Sequence, residues 1–166
     1  MQVLPEDVVE AATGVIRAAV ARGMTLVTAE SCTGGLVAGA LTAVAGSSAA
    51  VEAGFVTYSN AAKTRLIGVD AAIIAAHGAV SEETARAMAQ GARARGAGDL
   101  AVSITGIAGP GGGSADKPVG LVHFATAGPR GVRHREVRFG DLGRDGVRHA
   151  AVLTALEMLQ EQLADD

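Results

Sequence analysis

Apolar residues recur along the chain with two different periods. Over residues 5–22, Val8, Val9, Ala12, Val15, Ile16, Ala19 and Val20 fall at helical spacing behind Pro5, a residue suited to a first helical position, and Gly23 supplies a stop. Residues 24–28, Met-Thr-Leu-Val-Thr, read as a short buried strand, and small residues from Gly34 or Gly35 to about 45 as a helix. A second extended run at 54–58 is followed by Ser59-Asn60, a cap for a short helix over 61–67 with Lys63 in its first turn. Asp70 caps a further turn that ends at His77-Gly78. Ser81, followed by Glu82 and Glu83, opens a helix to about Arg95 with its acids at the positive end.

Further on, residues 100–105 predict a strand, and residues 106–118 hold too much Gly and Pro for helix or strand and form a loop into another strand at 119–125. Gly128-Pro-Arg-Gly131 turns the chain into 132–139, an antiparallel hairpin. Val152, Leu156, Leu159 and Leu163 line one face of a closing helix. Early alternation of helix and strand with short connections predicts an α/β fold in which helices cover both faces of a central sheet, and the late hairpin makes that sheet mixed.

Composition narrows the picture. A chain of 166 residues supports one sizeable core, so residues 1–166 are read as a single domain. Hydrophobic residues make up 49% and aromatic residues 2%, so the core is built from Ala, Val, Leu and Ile, and disorder is excluded as the overall state. A net charge of −3 argues against a protein that coats nucleic acid. A single cysteine, Cys32, forms no internal disulfide and fits a reducing compartment. The N-terminus lacks a basic segment followed by an apolar one, and no window reaches the length of a membrane span. The expectation is a soluble, untargeted, cytoplasmic protein.

Candidate chemistry concentrates at Ala29-Glu-Ser-Cys-Thr-Gly-Gly35, a strand-to-helix junction of the kind where α/β folds place ligands. Ser31 there is either a nucleophile or part of a polar turn. It does not stand in a Gly-x-Ser-x-Gly elbow. Gly34 and Gly35 would let a substrate approach the backbone, and the helix start near Thr33 and Gly34 would offer oxyanion donors. His77, His123, His134 and His149 occupy ordinary settings for surface or packed histidines, which leaves Lys63 as the alternative base. Flanked by Ala61 and Ala62, its amine could be desolvated and its pKa lowered. Tyr58, the sole tyrosine, lies five residues upstream and could reach the same pocket. Cys32 is either a rival nucleophile or a packed small residue. The glycine-rich run 106–113 lacks the Gly-Lys-Ser/Thr ending of a phosphate loop, although its N–H groups with Lys117 nearby could form an anion nest. Arg130, Arg133, Arg135 and Arg138 read as charges that blunt an edge strand.

Several of these motifs, in order, resemble the CinA C-terminal domain family, whose stand-alone members are nicotinamide-nucleotide amidohydrolases. The resemblance is carried by Thr28-Ala-Glu-Ser-Cys-Thr-Gly-Gly35, Gly54-Phe-Val-Thr-Tyr-Ser-Asn60, Lys63, Leu66-Ile-Gly-Val69, Gly78-Ala-Val-Ser-Glu-Glu-Thr-Ala85, Ile104-Thr-Gly-Ile-Ala-Gly-Pro110 and Lys117-Pro-Val-Gly-Leu-Val122. It implies a single three-layer α/β/α domain with a mixed, mostly parallel central sheet, without room for the nucleotide-hydrolysing N-terminal domain of full-length relatives. The implied activity is hydrolysis of the carboxamide of nicotinamide mononucleotide to nicotinate mononucleotide and ammonia, in pyridine nucleotide salvage. Ser31 matches the family's nucleophile, and Tyr58 and Lys63 match its activating residues. The implied substrate-binding set is Glu30, Thr33, Gly34, Gly35, Thr105, Gly106 and Arg144.

Where the family usually reads Gly-Asp-Arg, three residues and Arg, this chain has Phe139-Gly-Asp-Leu-Gly-Arg-Asp-Gly-Val-Arg148, with the arginine spacing kept as Arg144 and Arg148 and Gly-Asp displaced by two residues. Either arginine could hold the phosphate. The scheme needs no cofactor and no metal. Its expected partner is a small-molecule nucleotide substrate, not nucleic acid or membrane, and a homo-oligomer stays open. The alternative is a non-catalytic nucleotide- or partner-binding domain linked to competence and DNA processing.

Overall fold

Local rules account for most of the elements in the computed structural model, which describes residues 1–165. Helix α1 (Glu6–Arg22) begins behind Pro5 and ends at Gly23, which adopts φ 63° and closes on the carbonyls of Ala19 and Val20. Strand β1 (Leu26–Glu30) is buried along its whole length. Helix α2 (Leu36–Thr42) is shorter than the pattern predicts and is followed by a 3-10 turn at Ser47–Ala49. The reason is that Gly34 and Gly35, at φ 61° and 102°, form the turn that leads off β1 and take no part in the helix.

Strand β2 (Val51–Val56) lies earlier than residues 54–58, and the carbonyls of Thr57 and Tyr58 beyond its end accept from Lys63 Nζ. Helices α3 (Asn60–Ile67), α4 (Ala71–His77) and α5 (Glu82–Gly96) start at the predicted caps. Ser59, Asp70 and Ser81 accept from the N–H groups of Ala62, Ala72 and Thr84. Strands β3 (Leu100–Gly106), β4 (Leu121–Gly128) and β5 (Gly131–Arg138) and helix α6 (Gly143–Ala164) complete the chain.

The five strands lie in the order β2-β1-β3-β4-β5. β1 pairs parallel with β2 and β3, and β4 runs antiparallel between β3 and β5, so four strands share one direction and β4 opposes them. Side chains of β3 alternate between two helical layers. Leu100, Val102 and Ile104 enter the core built with α1, α2 and α6, whereas Ala101 and Ser103 face α5, with Ser103 Oγ donating to the Ala85 carbonyl at 2.6 Å. This is the three-layer α/β/α arrangement.

At the β5 edge, Arg133 pairs with Asp165 at 2.6 Å and Arg135 with Glu161 at 2.8 Å, so these arginines are engaged with carboxylates and keep the edge charged. No helix among the described residues is long and apolar enough to cross a membrane.

The carboxyl ends of β1, β2 and β3 converge. Ser31 N–H donates to the Ile104 carbonyl at 2.9 Å, and Thr57 N–H to the Glu30 carbonyl at 2.8 Å. Gly91 seats α5 against the end of α3: a Cβ there would stand 1.8 Å from the Ile67 carbonyl oxygen, so only glycine permits the approach that holds Lys63's helix in place.

Candidate active site

Ser31 begins the turn that leaves β1, and Glu30 shapes that turn. The Glu30 carboxylate is fully buried and accepts from Thr33 Oγ1 at 2.6 Å, Val37 N at 2.9 Å and Ala38 N at 3.0 Å. Two consequences revise the sequence reading. First, Glu30 is committed to closing residues 30–38, not exposed to a ligand. Second, its charge already occupies the amino end of α2, so that end is not a free donor for an oxyanion. Gly34 N–H is also engaged, donating to the Ser31 carbonyl at 3.0 Å. The backbone N–H groups of Cys32, Thr33 and Gly35 have no acceptor among the described residues.

Lys63 reaches this turn from α3 on the opposite side of the sheet to α2. Its Nζ lies 3.1 Å from Ser31 Oγ, 2.8 Å from the Thr57 carbonyl oxygen and 3.4 Å from the Tyr58 carbonyl oxygen, and the residue is 1% exposed. Burial pushes the ammonium below the ordinary lysine range. A neutral amine has two N–H donors and one lone pair. Here two carbonyls can take the donors, which leaves the lone pair for the Ser31 hydroxyl proton.

Tyr58 contributes to this pair through its backbone. Its ring is exposed, and its hydroxyl accepts from Arg144 Nη2 at 3.2 Å, away from Ser31 and Lys63. The expected convergence of the phenol on the lysine is thus replaced by a contact with Arg144. The same guanidinium donates from Nη1 to the Gly109 carbonyl at 2.8 Å, joining the glycine-rich loop to Tyr58 across the mouth of the site. Thr105 is buried and its Oγ1 donates to the Ala79 carbonyl at 2.8 Å, which ties β3 to the α4–α5 connection. Gly106 ends β3 opposite Val122. Lys117 donates to the His77 carbonyl at 2.6 Å, at the end of α4. Arg148, in the second turn of α6, donates from Nε to the Cys32 carbonyl at 3.1 Å and from Nη2 to the Thr33 carbonyl at 3.4 Å. No local pattern announces this contact, which spans 116 positions.

Cys32 packs into the core with α1, α2 and α6, and burial pushes its thiol up to about 11, so it stays protonated near neutrality. No histidine hydrogen-bonds to Ser31 among the described residues. His123 and His134 stack on adjacent strands with Nδ1 and Nε2 2.8 Å apart, and His149 contacts Asp7 at 2.9 Å.

A buried Ser–Lys pair at the strand ends of an α/β/α domain therefore defines the site. A sequence profile described as the CinA C-terminal domain matches residues 9–163, and the chain belongs to that family. Among its relatives, a CinA-like protein of Gloeobacter violaceus is 51% identical over 142 residues, covering 85% of this chain and 33% of the relative. One from Anaeromyxobacter sp. (strain K) is 55% identical over 142 residues, covering 84% and 34%. The chain thus spans about a third of these relatives. Among solved structures, the competence/damage inducible protein CihA from Agrobacterium tumefaciens matches with TM-score 0.95 and 54% identity over 99% of this chain and 100% of that one. A CinA superfamily protein from Escherichia coli matches with TM-score 0.89 and 34% identity, over 97% and 94%. Membership in a family of competence- or damage-inducible proteins follows from these likenesses.

Proposed function

We propose that the protein hydrolyses the carboxamide of nicotinamide mononucleotide to nicotinate mononucleotide and ammonia, as a serine amidohydrolase. The observation that carries the reading is the 3.1 Å approach of the desolvated Lys63 amine to Ser31 Oγ. A serine hydroxyl is a weak nucleophile until a neighbouring base takes its proton, and an amine with lowered pKa is such a base.

Ser31 Oγ attacks the amide carbon while its proton passes to Lys63 Nζ. The resulting oxyanion is met by free N–H groups of the turn after Ser31. Lys63 then gives the proton to the departing nitrogen, the C–N bond breaks, and ammonia leaves an ester on Ser31. Water attacks that ester with Lys63 again accepting a proton, which releases nicotinate mononucleotide and restores the hydroxyl. Arg144 and the loop that starts at Gly106 hold the phosphate, and Tyr58 stands with Arg144 at the mouth, where it positions the nucleotide.

Ammonia release from nicotinamide mononucleotide by purified wild type and Ser31→Ala tests the reading. Release by wild type and none above background by the variant is the expected result. Tight binding of the mononucleotide without turnover by wild type would instead support a non-catalytic nucleotide-binding domain.

A further inference from the structure

We propose that Arg148 is a positioning residue for this reaction: it holds the Cys32–Thr33 peptide so that Thr33 N–H faces the reacting carbonyl as an oxyanion donor. The inference rests on the serine-nucleophile reading and goes beyond it by assigning how the donor is oriented.

Five of the eight N–H groups from Ser31 to Ala38 have acceptors among the described residues. Ser31 donates to Ile104, Gly34 to Ser31, Leu36 to Thr33, and Val37 and Ala38 to the Glu30 carboxylate. Cys32, Thr33 and Gly35 are the three whose N–H finds no carbonyl or carboxylate among the described residues; Gly35 is partly exposed and the Cys32 N–H lies against its own thiol, whereas Thr33 is fully buried. Buried backbone donors are seldom left unpaired, so a free buried N–H beside a candidate nucleophile asks for an acceptor that arrives with the substrate.

Peptide geometry then says where the Thr33 N–H points. The Cys32–Thr33 peptide is trans, so its C=O and N–H point in opposite directions. Arg148 Nε grips that C=O at 3.1 Å from α6. Lys63 reaches Ser31 from α3, in the helical layer on the other face of the sheet. Thr33 N–H is therefore turned away from α6, toward the side from which Lys63 approaches. A guanidinium charge on the carbonyl oxygen also polarises the peptide and strengthens its N–H as a donor. The second contact, from Nη2 to the Thr33 carbonyl, fixes the next peptide, whose Gly34 N–H is already engaged with Ser31.

The test uses Arg148→Met and Arg148→Lys in the full chain, compared with wild type at equal folded concentration by circular dichroism. Arg148→Met is expected to lower kcat by about tenfold or more on both nicotinamide mononucleotide and nicotinamide riboside, with KM changed by less than about threefold, as for interactions made only in the transition state. Arg148→Lys, which keeps a charge but not the fork, should recover part of the loss. A loss confined to the mononucleotide would overturn the proposal in favour of a phosphate ligand. A rise in KM with kcat unchanged would also overturn it.

A second measurement does not depend on the amide. A fluorophosphonate probe reacts with an activated serine as the Oγ–P bond forms, the P–F bond breaks with loss of fluoride, and the hydroxyl proton passes to Lys63. Its phosphoryl oxygen needs the same donor. Labelling of Ser31 should slow at least about tenfold in Arg148→Met, with Ser31→Ala unlabelled, whereas labelling at the wild-type rate overturns the proposal. If wild type releases no ammonia from either amide, the amidase reading fails while the labelling rates still decide the role of Arg148.

Discussion

Lys63 Nζ lies 3.1 Å from Ser31 Oγ at the end of a side chain that is 1% exposed, and Lys63 forms no ion pair with a carboxylate among the described residues. Its polar neighbours are a hydroxyl and two carbonyls, none of which carries the negative charge that would hold it as an ammonium. Removing the group from water therefore favours its neutral form.

Activity should accordingly rise with pH along a limb whose apparent pKa lies below the ~10.4 of an unperturbed lysine. Lys63→Arg preserves the charge but cannot surrender a proton, so its kcat/KM should fall by about two orders of magnitude or more. The pH profile of kcat/KM checks both statements, and an active Lys63→Arg enzyme would show that position 63 supplies only positive charge.

The same burial makes Lys63 a liability for stability. Its folded pKa is lowered, so between that value and the unfolded value the unfolded chain binds more protons, and stability rises with pH across that window. Within the window the proton is lost on folding, and below it the charge itself is buried. Lys63→Met should abolish activity and raise Tm at neutral pH, and it should flatten the rise of Tm with alkaline pH. A lower Tm for Lys63→Met than for wild type at pH 7 would count against this account.

Ser31→Ala should leave the fold intact and reduce ammonia release to background. Cys32→Ala should keep kcat within about threefold, since the thiol is buried, protonated and turned into the core. Because the Cys32 thiol is held at about 11, it should react with a disulfide reagent at pH 8 only slowly, and at an ordinary rate once the chain is unfolded in denaturant. An inactive Cys32→Ala beside an active Ser31→Ala would reverse the assignment.

Glu30→Ala removes the acceptor of two backbone donors and one hydroxyl in a buried turn, and should cost on the order of 3 kcal/mol or more in denaturant unfolding. Glu30→Gln keeps the shape and one oxygen but turns an NH2 group toward a backbone N–H, so it should cost less than Ala and more than nothing. Neither loss should be repaired by nucleotide, because the carboxylate is spent inside the fold.

Arg144 separates binding from chemistry. If it and the loop from Gly106 hold a phosphate, nicotinamide mononucleotide should be hydrolysed far better than nicotinamide riboside, because remote binding energy positions the amide. Arg144→Ala should narrow that preference by about tenfold while changing riboside hydrolysis little. Equal losses on the two substrates would place Arg144 in a structural role, fastening Gly109 to Tyr58.

The features legible in the residues alone are local. Pro5, Gly23, Ser59, Asp70 and Ser81 act on backbone groups within a few residues, so the helix ends they set are legible wherever the chain goes. The motifs holding Ser31 and Lys63 were legible as well. The tertiary structure alone decided that these two side chains meet, that Glu30 faces inward to close a turn, that the Tyr58 hydroxyl joins Arg144 and not Lys63, and that Arg148 reaches back over 116 positions to the Cys32 carbonyl. Each of these contacts depends on β1 lying between β2 and β3 and on which helical layer carries the partner. Burial then acts on the result: the lysine is 1% exposed on a helix whose end is seated against α5 at Gly91, and no residue near Lys63 in the chain encodes that approach.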